Sequence, residues 1–180
     1  MVMTANVEMK MPFVKFWKFV RRSGFAATAS LLACGMAATV LPSAAAAEQL
    51  VITIHSVKAL DQIDVTPADF YVRAVIGGQI HLTERISQQN EIQPNWTIRE
   101  TVGPGVVKVR LELWDKDLRI DDLIDINGRK DTSKRALDFS VNMRTCRVIG
   151  FKGSPRCGTR ITRSGDEKKK AEITFSVAKK

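Results

Sequence analysis

The chain has 180 residues, a formal net charge of +9, two histidines and three cysteines. That length suits one or at most two domains, and no internal repeat, low-complexity tract or interdomain linker divides it. Zinc chemistry is disfavoured, because no C-x-x-C pair occurs and His55 and His81 lie far along the chain from Cys146 and Cys157.

Residues 1–47 read as a leader. Lys10, Lys15, Lys18, Arg21 and Arg22 form a basic start, Phe25 to Leu41 is apolar, and Ala45-Ala46-Ala47 is an A-x-A cleavage site before Glu48. That pattern is a secretory signal peptide, cleaved near Ala47. A retained anchor is disfavoured, since about 17 apolar residues before Pro42 are near the minimum for a span. Leu31-Leu32-Ala33-Cys34 is similar to a lipoprotein box, but apolar sequence continues well past Cys34. The expected location is periplasmic or secreted. Residues 48–180 then form one domain of charge +5. That balance suits anionic lipid or acidic polymers, but charge alone reads first as an ordinary soluble surface. No nucleic-acid partner is expected.

From Leu50 onward the pattern is β. LVITIHSVKAL is rich in β-branched residues and leads into an acidic loop, Asp61 to Asp69. DFYVRAVIG turns at Gly77-Gly78 and returns as QIHLTERI, a hairpin. After SQQNEIQ, Pro94-Asn95-Trp96 opens a strand running to about Val102, and Gly103-Pro104-Gly105 turns the chain again. The next stretch organises the rest. Val107, Val109, Leu111 and Leu113 alternate with Lys108, Arg110 and Glu112, the period of two of a half-buried strand. Leu137, Phe139, Val141 and Met143 mark a further strand, and AEITFSVA a last one. Trp96 and Trp114 fall at strand ends, where large rings cover a core. Seven or eight short strands without a convincing helix predict an antiparallel β-sandwich. Cys146 and Cys157, an even pair in an exported domain, predict a disulfide closing a small Gly-, Pro- and Arg-containing loop.

The central strand runs through Trp114 into Asp115, Asp117, Asp121, Asp122 and Asp125. Carboxylates so dense on one loop repel, and a hard cation taking six to eight oxygens would turn that repulsion into coordination. Single aspartates are ordinary turn formers; two acidic loops on a basic domain are less ordinary. An EF-hand does not fit. Counted from Asp115, Ile120 stands where the glycine belongs and Ile126 where the glutamate belongs. No nucleophile elbow, phosphate-cradling glycine loop or HExxH occurs, so no enzyme activity is expected. A hydrolase built on a loop carboxylate pair is the remote alternative.

These residues carry a resemblance. Leu50 to Leu60, Asp69-Phe70-Tyr71-Val72, Pro94-Asn95-Trp96 and Trp114-Asp115-Lys116-Asp117 followed by Asp122-Leu123-Ile124 resemble, in order and spacing, the C2 domain, in its exported bacterial variants. The resemblance implies an eight-stranded antiparallel sandwich, of the permuted type II strand order because the chain closes with an extra strand. It implies calcium as cofactor, with Asp69, Asp115, Asp117 and Asp122 as ligands. Asp64 is the nearest match to the remaining loop-1 ligand and Asp61 the alternative; Asp121 and Asp125 are weaker candidates. Phe70 departs from the family's proline and Asp125 from its glycine. Ile63, Val65, Leu118, Arg119 and Ile120 are candidates for tips that enter a membrane, with packing onto the sandwich rim as the plain alternative. The function implied is an exported calcium-binding module that docks on anionic phospholipid surfaces. The alternative is a calcium-stabilised domain whose partner is a protein or glycan.

Overall fold

The computed structural model describes residues 47–63, 65–129 and 134–180. The expected leader therefore lies almost wholly outside the described residues, as does Asp64. Eleven strands and no helix occur among the described residues: β1 (Glu48–Ala59), β2 (Phe70–Ile76), β3 (Gln79–Leu82), β4 (Glu91–Ile92), β5 (Trp96–Val102), β6 (Val106–Asp115), β7 (Asp122–Ile124), β8 (Leu137–Asn142), β9 (Arg147–Ile149), β10 (Ile161–Ser164) and β11 (Ala171–Lys179). All their pairings are antiparallel. One sheet runs β10-β11-β1, with β4 and β5 sharing the other side of β1; the second runs β3-β2-β6-β8-β9, with β7 on the end of β6. The last strand lies beside the first, as the permuted order implies. The long strands are those the alternation predicts. The extra four, β4, β7, β9 and β10, have two to four residues each, too few to show a period.

Alternation sets the core. Leu50, Ile52 and Ile54 of β1 point inward, yet Val57 does too, one residue out of phase. A bulge between Ile54 and Ser56, where the pairing with β11 shifts register, absorbs that mismatch and restores the inward phase. Val107, Val109, Leu111 and Leu113 face Ile173, Phe175 and Val177 from the opposite sheet within one apolar cluster. Phe139, Phe151 and Phe175 pack in its middle with centroids 5.4 to 6.0 Å apart. Trp96 packs on this core. Trp114 does not; alternation turns it to the outer face, where its ring stacks on Tyr71 at 6.4 Å and its Nε1–H donates to Glu112.

Ile63, expected as an exposed tip, is 4% exposed and belongs to the core. Its loop turns it inward with Ala68, so burial overrides the tip reading at this position. Cys146 and Cys157 form the expected disulfide, with Cα atoms 5.3 Å apart.

Register brings three loops to one end of the sandwich. Ala59 pairs with Ala171, and Asp115 pairs with both Phe70 and Asp122. The turns after β1, after β6 and before β11 therefore share that end. Asp125 links the sheets there through a parallel bridge to Lys170.

Candidate functional site

The loop end holds a cavity of about 910 Å³ bordered by Asp69, Asp115, Asp117 and Asp122, together with Arg85, Lys116, Leu118, Arg119 and Ile120. Four of the expected ligands thus share one space. Asp115 is the best buried, 2% exposed, because it closes β6 and its Oδ1 accepts the Asp69 N–H at 2.6 Å. The Lys116 N–H in turn donates to the Asp69 carbonyl at 3.0 Å. These two bonds fasten the β1–β2 loop to the β6 loop.

The carboxylates already have protein partners. Asp69 Oδ1 accepts the Gln88 N–H at 2.8 Å, and its Oδ2 lies 3.6 Å from Arg85 Nη1. Asp122 is paired with Lys169. Asp121 accepts from Lys116 Nζ and from the Tyr71 hydroxyl, both at 2.8 Å. The lysine first and the phenol second hold the Asp121 carboxyl below the usual range. Burial first, and then its bond to the Asp121 carboxylate, push Tyr71 up to about 12.

Asp61 and Asp125 serve the loops. Asp61 Oδ1 accepts the Lys170 N–H at 2.8 Å. Asp125, 1% exposed, accepts the Asn127 N–H on one oxygen and the Asp166 and Glu167 N–H groups on the other. The backbone of Gly165 passes so close that a Cβ there would fall 2.1 Å from the Asp125 carbonyl oxygen. Both oxygens of Asp125 are therefore committed to backbone amides, and at the family's glycine position it pins the 165–167 turn.

The donors suit a hard cation in kind, being carboxylate oxygens. Their spacing does not: among the described residues no three acidic, histidine or cysteine side chains stand close enough to hold a metal ion. Arg85, Gln88, Tyr71 and Lys169 escape a reading of the sequence. Gln88, Tyr71 and Lys169 have their partners 19 to 50 positions away, and nothing local marks them.

The tips contrast with these paired acids. Leu118 is 107% exposed, Val65 90% and Ile120 81%. Lys116 and Arg119 are exposed on the same loop. Apolar groups and cations thus share the rim.

No protein-family model matches the chain. No curated protein matches it in sequence either. Solved structures do match its shape. Human GIVD cytosolic phospholipase A2, solved with an inhibitor and terbium chloride, aligns with a TM-score of 0.53 at 15% identity, over 76% of this chain and 17% of that one. A single C2 domain of plant Extended Synaptotagmin 1 aligns at 0.52 and 11% identity, over 73% of this chain and 93% of that domain. The paired C2 domains of Extended-Synaptotagmin 2 align at 0.51 and 17% identity, over 87% of this chain and 47% of that one. The chain thus spans only 17% of the phospholipase's length. At such identities the likeness speaks to fold, and with the sheet order above it identifies this chain as a C2-like antiparallel β-sandwich.

Proposed function

We propose that this is an exported C2-like module that docks on anionic phospholipid surfaces with its acidic-loop end down. The observation that carries the reading is the pair Leu118 and Ile120, more than four-fifths exposed on one short loop between Lys116 and Asp121. A full burial of each aliphatic would contribute about 1.5–3 kcal/mol, and less at an interface. Cations at the surface of an anionic leaflet add about 1 kcal/mol each. The acids would oppose docking if bare. Here Arg85, Lys116 and Lys169 already offset Asp69, Asp121 and Asp122.

A second reading gives calcium that neutralising role, and the sharing of one cavity by Asp69, Asp115, Asp117 and Asp122 favours it. The phospholipase of which 17% aligns with this chain was solved with terbium chloride, the salt of another hard cation. Because the acids are not assembled around a common point, the calcium reading requires Arg85 and Lys169 to yield their carboxylates.

Co-sedimentation with phosphatidylglycerol-containing vesicles, in calcium and in chelator, tests both readings. Binding in chelator that weakens with salt supports resident cations; binding only in calcium supports the second reading. Leu118→Asp/Ile120→Asp should abolish docking by the loop end under either reading. Failure of the wild-type protein to sediment in both conditions overturns membrane docking.

A further inference from the structure

A second surface lies away from the acidic loops. Between Phe139 and Gly165 the chain carries Arg144, Arg147, Lys152, Arg156, Arg160 and Arg163 and not one acid. Arg163 is committed to the interior, donating to the Asn127 carbonyl and lying over the Phe151 ring. Arg144 donates to the Pro104 carbonyl. Arg147, Lys152 and Arg156 are exposed on the hairpin that the disulfide clamps at its base, and Arg160 follows just beyond it.

Arg147 and Arg156 are direct partners across an antiparallel bridge. The Cys157 N–H donates to the Cys146 carbonyl and the Val148 N–H to the Pro155 carbonyl. The arginine pair therefore sits between two hydrogen-bonded pairs, where opposed Cα atoms are about 4.5 Å apart and side chains approach closest. Val148 is buried, so alternation sends Arg147 outward, and Arg156 opposite it takes the same face. Like charges directly opposed destabilise a sheet. Here the disulfide holds the two strands together against that repulsion.

Among the described residues no carboxylate pairs with Arg147, Lys152 or Arg156. Arg147 Nη1 donates to the Ser154 carbonyl at 3.1 Å, which orients its guanidinium and leaves most of its five N–H donors open. Guanidinium groups on directly paired residues of one face, one of them oriented by Ser154, can both reach the oxygens of one phosphate, each able to make charge-assisted, forked bonds.

We propose that this hairpin is a second binding site, in which Arg147 and Arg156 jointly grip a phosphate group, with Lys152 on the same loop adding charge. The ligand class is a phosphate-bearing anion, either a soluble phosphate chain or a phospholipid headgroup. Asn142 of β8 pairs with both Val106 and Arg147, which puts the pair near the end of the sandwich opposite Asp115. The site is thus independent of the loop-end docking proposed above.

Titration calorimetry of the oxidised full chain with sodium tripolyphosphate at low ionic strength tests the site. The wild type should bind, and Arg147→Gln/Arg156→Gln should weaken binding by about tenfold or more. Arg99→Gln, an exposed arginine of β5, should change nothing. Phosphatidylglycerol vesicles assign the source: in a Leu118→Asp/Ile120→Asp background, residual sedimentation lost on adding the arginine changes identifies the headgroup. No residual sedimentation, with tripolyphosphate binding intact, identifies a soluble anion. In phosphate-free buffer the double glutamine variant should melt above the wild type, because the repulsion is gone. No tripolyphosphate binding, binding indifferent to both substitutions, or a variant that melts lower would overturn the assignment.

Discussion

Replacing Asp125 with alanine separates a structural carboxylate from a metal ligand. The side chain accepts three backbone N–H groups, from Asn127, Asp166 and Glu167. A buried donor left without an acceptor costs about 1–3 kcal/mol. Asn127 is buried, so its amide should bear a full penalty of about 2 kcal/mol; Asp166 is exposed and Glu167 half-buried, so water can partly replace the carboxylate there at about 1 kcal/mol each. The sum is a loss of about 3–5 kcal/mol, a large share of the stability typical of a domain this size. Asp125→Asn should lose less, since one oxygen remains to accept. Urea unfolding followed by tryptophan fluorescence reads the loss, with calcium and with chelator in parallel. The reasoning fails if the alanine variant loses less than about 1 kcal/mol, or if it is destabilised only when calcium is present, which is the signature of a ligand.

Other outcomes follow from the same kind of argument. Burial would raise the Glu112 carboxyl, but hydrogen bonds from Arg73, Arg110 and Trp114 outweigh it and hold the group below its ordinary value. A lowered carboxyl contributes stability above the unfolded value of about 4.3 that is lost as pH falls through the folded value. Glu112→Gln should therefore cost about 2–3 kcal/mol at neutral pH, and the gap to wild type should close on acidification below about pH 4. Tyr71 is the sole tyrosine, so tyrosinate absorbance reads it alone. Its midpoint should lie near the value of about 12 given above and fall toward 10 in Asp121→Asn, and its contribution to stability should fade as pH rises between the two. Reducing Cys146–Cys157, which closes a loop of sequence separation 11, should cost about 2–3 kcal/mol by the chain-entropy relation, measured as the shift in urea midpoint with reductant.

Side-chain alternation is local, and it makes most of this fold legible. Val107 to Leu113, Phe70 to Ile76 and Ile173 to Val177 each carry the period of two over enough residues to show which face is inward. The sheet arrangement is anticipated only through the resemblance carried by the landmarks, from the β1 strand through Pro94-Asn95-Trp96 to the closing strand. The bulge at His55 is marked only by two successive polar residues, His55 and Ser56, between Ile54 and Val57, a break that a turn would leave equally well.

The roles of the acids are another matter. Asp115, Asp117, Asp121, Asp122 and Asp125 look alike along the chain, and composition marks all five as candidate ligands. Tertiary structure gives them different partners: Asp115 an amide of the neighbouring loop, Asp121 a lysine and a phenol, Asp122 a lysine 47 positions on, Asp125 three backbone amides. A carboxylate's chemistry depends on which donors surround it, and those donors arrive from distant segments once the sheets have paired. Ile63 turns inward and Leu118 outward for the same reason, since a loop side chain has no periodicity to declare its face. Strand identity is written into the local sequence; the partner of each charge exists only after the chain has folded.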